Sequence, residues 1–114
     1  MSNTPNLGLE LVPSNSFQPW VQVNDALQVL DALVQLTVQD KDAATPPTTV
    51  SGDAGKRWII GASPTGAWAG QAGAIALCTG ANLWRIIPSK DGFEAWVIDE
   101  AKKYRKQSGT WTML

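Results

Sequence analysis

Histidine is absent from this 114-residue chain, and cysteine, tyrosine and phenylalanine are scarce, at one, one and two copies. Without histidine the commonest general base at neutral pH is missing. Zinc or haem ligation by the usual residues has nothing to draw on, so no metal and no cofactor is expected. The single cysteine, Cys78, rules out an intrachain disulfide. Inside the apolar run AIALC it reads as a small buried hydrophobe. Charge is sparse as well: 17% of residues are Asp, Glu, Lys or Arg and the net charge is −1. That balance leaves no electrostatic footprint for nucleic acid or an anionic membrane. A basic strip at Lys102, Lys103, Arg105 and Lys106 is read as the solvated face of a strand. Long apolar runs are lacking, and the longest apolar pattern is interrupted too often to cross about 30 Å of hydrocarbon, so no membrane insertion is expected. The opening MSNTPNLGLELVP lacks the basic and apolar regions of a signal peptide, which predicts synthesis in a cytoplasm without export.

What is present is one over-apolar helix pattern. From Val23 to Val38 the sequence reads VNDALQVLDALVQLTV. Polar residues recur at Asn24, Gln28, Asp31 and Gln35, spacings that make one narrow wet stripe on a helix. The rest of its surface is apolar, a wider arc than the roughly 100° of an ordinary surface helix. Such an arc predicts two packing partners: the chain's own body on one side, copies of the same helix on the other. A helix buried wholly within its own monomer would read much the same. The heptad register Val23, Leu27, Leu30, Val34 is too short for a free-standing coiled coil but suits a short bundle at a symmetry axis. Leu27, Leu30, Val34 and Val38 are therefore the expected oligomer contacts.

Upstream, residues 1–19 are rich in Asn, Ser and Pro, and residues 1–22 are expected to form an extended arm. The alternation Leu7, Leu9, Leu11 would let that arm find a groove on a neighbouring subunit. Phe17 and Trp20 precede the helix, with Asn24 or Asp25 as its N-cap. After the helix, a loop containing Pro46-Pro47 leads to a run of short strands. The pattern predicts strands at Arg57–Gly61, Ala74–Thr79, Leu83–Ile87, Phe93–Ile98, Lys102–Lys106 and Thr110–Met113. Turns fall at Gly80-Ala81-Asn82, Lys90-Asp91-Gly92, Asp99-Glu100-Ala101 and Ser108-Gly109. The expected fold is α+β: an extended N-terminal arm, then one N-terminal helix and a small antiparallel β-meander forming a single domain over 23–114.

Six tryptophans, at positions 20, 58, 68, 84, 96 and 111, are the compositional outlier. Trp68 and Trp84 lie beside glycine-bearing loops and can be read as core anchors or as platforms for sugar C–H faces. In the second reading Gln71, Asn82 and Asp91 would supply polar rims for hydroxyls. Catalysis is not expected. A glycosidase needs two carboxylates about 5–10 Å apart across a bond, whereas Asp53, Asp91, Glu94, Asp99 and Glu100 fall mostly in turns. Gly61-Ala62-Ser63-Pro64-Thr65-Gly66 lacks the Lys and the helix of a phosphate-cradling loop. Aromatic–basic neighbours at Trp58, Trp84-Arg85 and Tyr104 offer a weaker case for single-stranded nucleic acid.

Several motifs together resemble a domain of unknown function found in structural proteins of tailed bacteriophages and in spike or fibre proteins of gene transfer agents. They are N-D-A-L-x-x-L-D-A-L-V-Q from Asn24, the pair Pro46-Pro47, and S-P-T-G-A-W-A-G from Ser63. G-x-x-L-W-R-x-x-P from Gly80, Gly92-Phe93 with Ala95-Trp96-Val97, and Asp99-Glu100 complete the set. The likeness spans roughly residues 5–113. It implies a non-enzymatic virion component, a small fibre, spike or decoration subunit, trimeric and in contact with other virion proteins. It further implies a link to host surface polysaccharide. A carbohydrate-binding module using exposed tryptophans is the alternative, and a glycan-degrading enzyme a more remote one.

Overall fold

The computed structural model describes residues 3–11 and 20–114. They divide into two compact units, Met1–Gln35 and Leu36–Leu114.

The first unit carries the one α-helix of the described residues, α1, Trp20–Leu33. It starts earlier than the sequence pattern predicts, so Asn24 and Asp25 lie inside it and not at its N-cap. It also stops earlier. The amide of Val34 still donates to the Leu30 carbonyl at 2.9 Å, but Gln35 turns to φ +54°. That left-handed conformation ends helices, and for a residue other than glycine it costs on the order of 1 kcal/mol. Gln35 is therefore a terminator and not the last member of a wet stripe. Asp31 departs from the stripe too: it is only 1% exposed.

The reason lies in residues 3–11, which close into a tight turn. The Thr4 amide donates to Leu9 O at 2.8 Å, the Gly8 amide to Thr4 O at 3.1 Å, and Asn3 bridges Glu10 in antiparallel fashion. Gly8, at φ +72°, supplies the left-handed corner. The backbone amides of Asn6 and Leu7 reach Asp31 at 3.0 and 2.6 Å, and the Asn6 side-chain amide at 2.9 Å. The central part of the predicted arm, with Phe17, lies outside the described residues.

The second unit is built of strands. Apolar residues that read as the end of the helix form instead β1, Thr37–Val38. There follow β2 (Arg57–Ile59), β3 (Ile75–Gly80), β4 (Leu83–Ile87), β5 (Glu94–Val97), β6 (Lys102–Gln107) and β7 (Thr110–Met113). The predicted single meander is split into two sheets. One is antiparallel, in the order β2-β3-β4; the other has the order β1-β5-β6-β7, with β1 parallel to β5. The break falls at Pro88–Phe93, where proline ends the ladder and Gly92, at φ +99°, starts the chain toward the next sheet. Between the sheets, residues 39–43 run beside β2: the Gln39 amide donates to Arg57 O at 2.7 Å and the Gly61 amide to Ala43 O at 2.8 Å.

Period-2 alternation decides what each strand buries. In β5, Ala95 and Val97 are 1% and 0% exposed, whereas Glu94 and Trp96 face the other way. In β3, Ile75, Ala76, Leu77 and Cys78 are all buried, as befits the central strand of its sheet. Around one end of that sheet Ile60, Trp68, Ala74 and Ala76 form a cluster, with Trp58, Trp84 and Ile86 packed against it.

Candidate functional site

Trp68 is 0% exposed. A short 3-10 turn, Gly66–Trp68, delivers the ring inward between two other indoles. Trp58 lies 6.5 Å from it by ring centroids and Trp84 5.0 Å, the latter edge-on at 76°. Trp58 and Trp84 are themselves T-shaped at 5.3 Å and 81°. Burying one indole removes about 150–250 Å² from water, which at about 25 cal/mol per Å² is on the order of 4–6 kcal/mol as an upper estimate. The Trp68 Nε1 group is buried with no hydrogen-bond partner among the described residues. Trp68 is thus a core anchor and not a sugar platform, since no ligand can stack on a ring with no accessible face. Trp84 is half-buried against that anchor.

The other expected rim residues separate in role. Gln71 is exposed, and its backbone amide closes the turn onto Trp68 O at 3.0 Å. Asn82, at φ +56°, takes a left-handed turn position that Asn tolerates. Its side-chain oxygen accepts from the Thr49 amide at 3.1 Å, while its own amide donates to Thr49 Oγ1 at 2.7 Å. Asn82 therefore clamps the long loop to the β3–β4 turn. The Asp91 carboxylate likewise accepts from the Gly109 amide at 2.9 Å, tying two turns. The side chains of Asn82 and Asp91 are thus committed to backbone amides of a loop and a turn.

Of the expected assembly residues, Val38 is 0% exposed. It belongs to β1 and not to the helix, so it cannot offer a surface to a neighbour. Along α1 the outcome differs. Val23 is 41% exposed, Leu30 52% and Val34, just past the helix end, 45%. Leu27 between them is half-buried. These are the positions of the short heptad register, and they form one open apolar stripe. In the N-terminal turn Leu7 is 42% exposed, and Leu9 and Leu11 are half-buried.

The electrostatics divide into anchored and crowded carboxylates. For Asp31, burial pushes the pKa up, but hydrogen bonds from the Thr4 side chain, the Leu7 and Asn6 amides and the Asn6 side chain outweigh it. They hold the carboxyl below its ordinary value. For Asp99 desolvation raises the pKa, and Asp40, Glu100 and Asp42 add their negative charge in the same direction. Lys41 sits among these acids, 3.0 Å from Asp42 and 3.8 Å from Glu100, with its ammonium 4.9 Å from the Tyr104 ring centroid. Tyr104 OH in turn donates to Glu100. Among the described residues no group of acids, with or without cysteine, is arranged to hold a metal ion. None of their helices is long and apolar enough to cross a membrane.

Lys41 and Asp42 also border an open groove of about 290 Å³, walled by Gly61, Ala62, Gly73 and Trp111. Trp111 is fixed there by its Nε1, which donates to Gly73 O at 2.9 Å.

A feature outside the expected set is the solvent face of the second sheet. Trp96 is 46% exposed there, paired in register with Lys103. Glu94, on the same face, accepts from Lys103 at 2.9 Å and from Arg105 at 2.8 and 2.6 Å. Those contacts, Lys103 first and then Arg105, hold its carboxyl below the ordinary range. The signal was present in the alternation: Glu94-Ala95-Trp96-Val97 places the indole on the charged side of the strand, opposite the small and apolar residues.

A small α+β chain whose described residues carry an open apolar helical stripe, an indole cluster around the buried Trp68 and a solvent-facing Trp96 is the class of molecule so defined. The family model for a protein of unknown function, DUF2793, matches residues 23–112, and the chain belongs to that family. No curated protein and no solved structure matches it.

Proposed function

We propose that this chain is a non-enzymatic structural subunit of a phage-type particle, which self-associates through α1 and takes part in attachment to surface glycan. The observation that carries the reading is the exposure of Val23, Leu30 and Val34 along one helical face. Three large aliphatic side chains left open at heptad spacing make a seam that a sister helix can cover. The resemblance of its motifs to those of phage and gene-transfer-agent structural proteins suggests the setting: a virion, with other virion proteins as partners and a homotrimer as the assembly.

Mass photometry of the purified 12.2 kDa chain tests the assembly. A species of three times the chain mass at micromolar concentration is expected. Leu30→Glu, which places a charge in the seam, should convert it to monomer with unchanged far-ultraviolet dichroism. A folded wild-type chain that remains monomeric would overturn the reading.

Glycan attachment draws support from the exposed indole at Trp96, set among charged side chains able to bond hydroxyls.

A further inference from the structure

We propose that the solvent face of the second sheet, centred on Trp96, binds an anionic saccharide, with the sugar ring on the indole and its acidic group held by Lys103 and Arg105. The inference rests on the glycan-attachment reading above and gives it a site and a ligand class.

Three features of this face carry it. The first is the indole itself. Trp96 is 46% exposed although its strand neighbours Ala95 and Val97 are sealed, so the ring lies on a firm backing of sheet. Pairing on both sides of β5, parallel with β1 and antiparallel with β6, fixes that backing. A flat ring on a rigid support loses little conformational freedom when a ligand covers it.

The second is the state of the polar groups. Glu94 is the one acidic side chain that β5, β6 and β7 place on this face, and both its oxygens are engaged: Oε1 takes Lys103, Oε2 takes two N–H groups of Arg105. Lys103 uses one N–H of its ammonium in that contact, and Arg105 uses one edge of its guanidinium. Their side chains remain 55% and 42% exposed. The face around the ring thus holds donors beyond those that Glu94 engages, against one carboxylate already engaged at both oxygens, and carries two positive charges against one negative. Such a surface favours a ligand rich in acceptors and negative in charge, a carboxylate- or sulfate-bearing sugar over a neutral one.

The third is what the face lacks. Trp96 is the one aromatic side chain directed to this side of β5, β6 and β7, since Tyr104 and Trp111 fall on the opposite alternation. A track for single-stranded nucleic acid needs successive stacking rings along a basic groove, and the chain's net charge of −1 gives no such groove. One ring flanked by donors matches one sugar residue.

The test uses the intact chain and three probes: oligogalacturonate, uncharged dextran oligomers of similar length, and oligo-dT. Binding is read by isothermal titration and by the fluorescence of the exposed indole. Oligogalacturonate is expected to bind, to weaken as salt rises, and to exceed dextran at least tenfold. Trp96→Ala should lower its affinity at least tenfold, with dichroism and particle mass unchanged. Lys103→Glu, which leaves the ring in place, should lower it severalfold and reduce the salt dependence. No binding of oligogalacturonate, equal binding of dextran, tighter binding of oligo-dT, or an unaffected Trp96→Ala variant would each overturn the proposal. Mass photometry on the same samples separates the two ideas: a monomer that binds through Trp96 defeats the assembly alone, and a trimer that binds nothing defeats the site alone.

Discussion

At the scale of single residues, one position is fixed by close approach of backbone to backbone. That position is Gly61. A methyl group there would lie 2.5 Å from the Asp42 carbonyl oxygen, which belongs to backbone that cannot swing away. The same residue's amide donates to Ala43 O at 2.8 Å, so the strand-like segment 39–43 is held against β2 at this point. Gly61→Ala should therefore destabilise the second unit by roughly 1–3 kcal/mol, through backbone displacement and not through any lost contact. A lowered midpoint in urea at unchanged slope is the expected result. The sequence pattern places Gly61 at the end of the predicted strand Arg57–Gly61, but the reason for a glycine there was not visible: the partner is nineteen positions upstream by number (42 to 61), and nothing local marks it. The opposite holds for Trp96, whose exposure follows from alternation with Ala95 and Val97 and needed only a count by twos.

At the scale of elements, the junction of residues 3–11 with α1 is made by one carboxylate. Asp31 is nearly sealed and takes the amides of Asn6 and Leu7 together with the Asn6 side chain. Asp31→Asn removes the charge that strengthens these bonds and turns a donor toward donors, a loss of about 1–3 kcal/mol. Hydrogen exchange at the Asn6 and Leu7 amides should accelerate accordingly. The pH dependence has a definite sign. The folded-state pKa of Asp31 is depressed, so its contribution is complete above the ordinary carboxylate value of about 3.9 and disappears as pH falls through the lower folded value. The gap between wild type and Asp31→Asn should thus be full at neutral pH and close under strong acid.

Local signals made β4 and β7 legible to the residue, because hairpin turns and alternation fix both ends. The end of α1 was not, since Leu36, Thr37 and Val38 continue an apolar run that could extend a helix. Only the pairing of β1 with β5, almost sixty residues later (Thr37 with Trp96), decides otherwise. That same non-local pairing divides what reads as one meander into two sheets. Asp31 was misread for a related cause: a polar residue at helical spacing signals solvent unless a distant segment supplies donors.

At the scale of the whole molecule, the reading of α1 as an assembly seam has a thermodynamic signature. If folding is linked to association, the midpoint of thermal unfolding must rise with protein concentration. Over a hundredfold range the wild type should shift by several degrees, and Leu30→Glu should not shift at all. The chain's six tryptophans do not argue for six functions. Trp58, Trp68 and Trp84 hold one end of a sheet together, Trp111 ties β7 to Gly73, and Trp96 faces outward.

The three edge-on indoles also furnish an optical handle. Rings 5.0 to 6.5 Å apart couple their electronic transitions, so their near-ultraviolet dichroism reports the packing of residues 36–114, whereas amide hydrogen exchange along residues 20–33 reports the helix. Following both signals as the chain is unfolded distinguishes a chain that unfolds in one step from one that sheds its helix first.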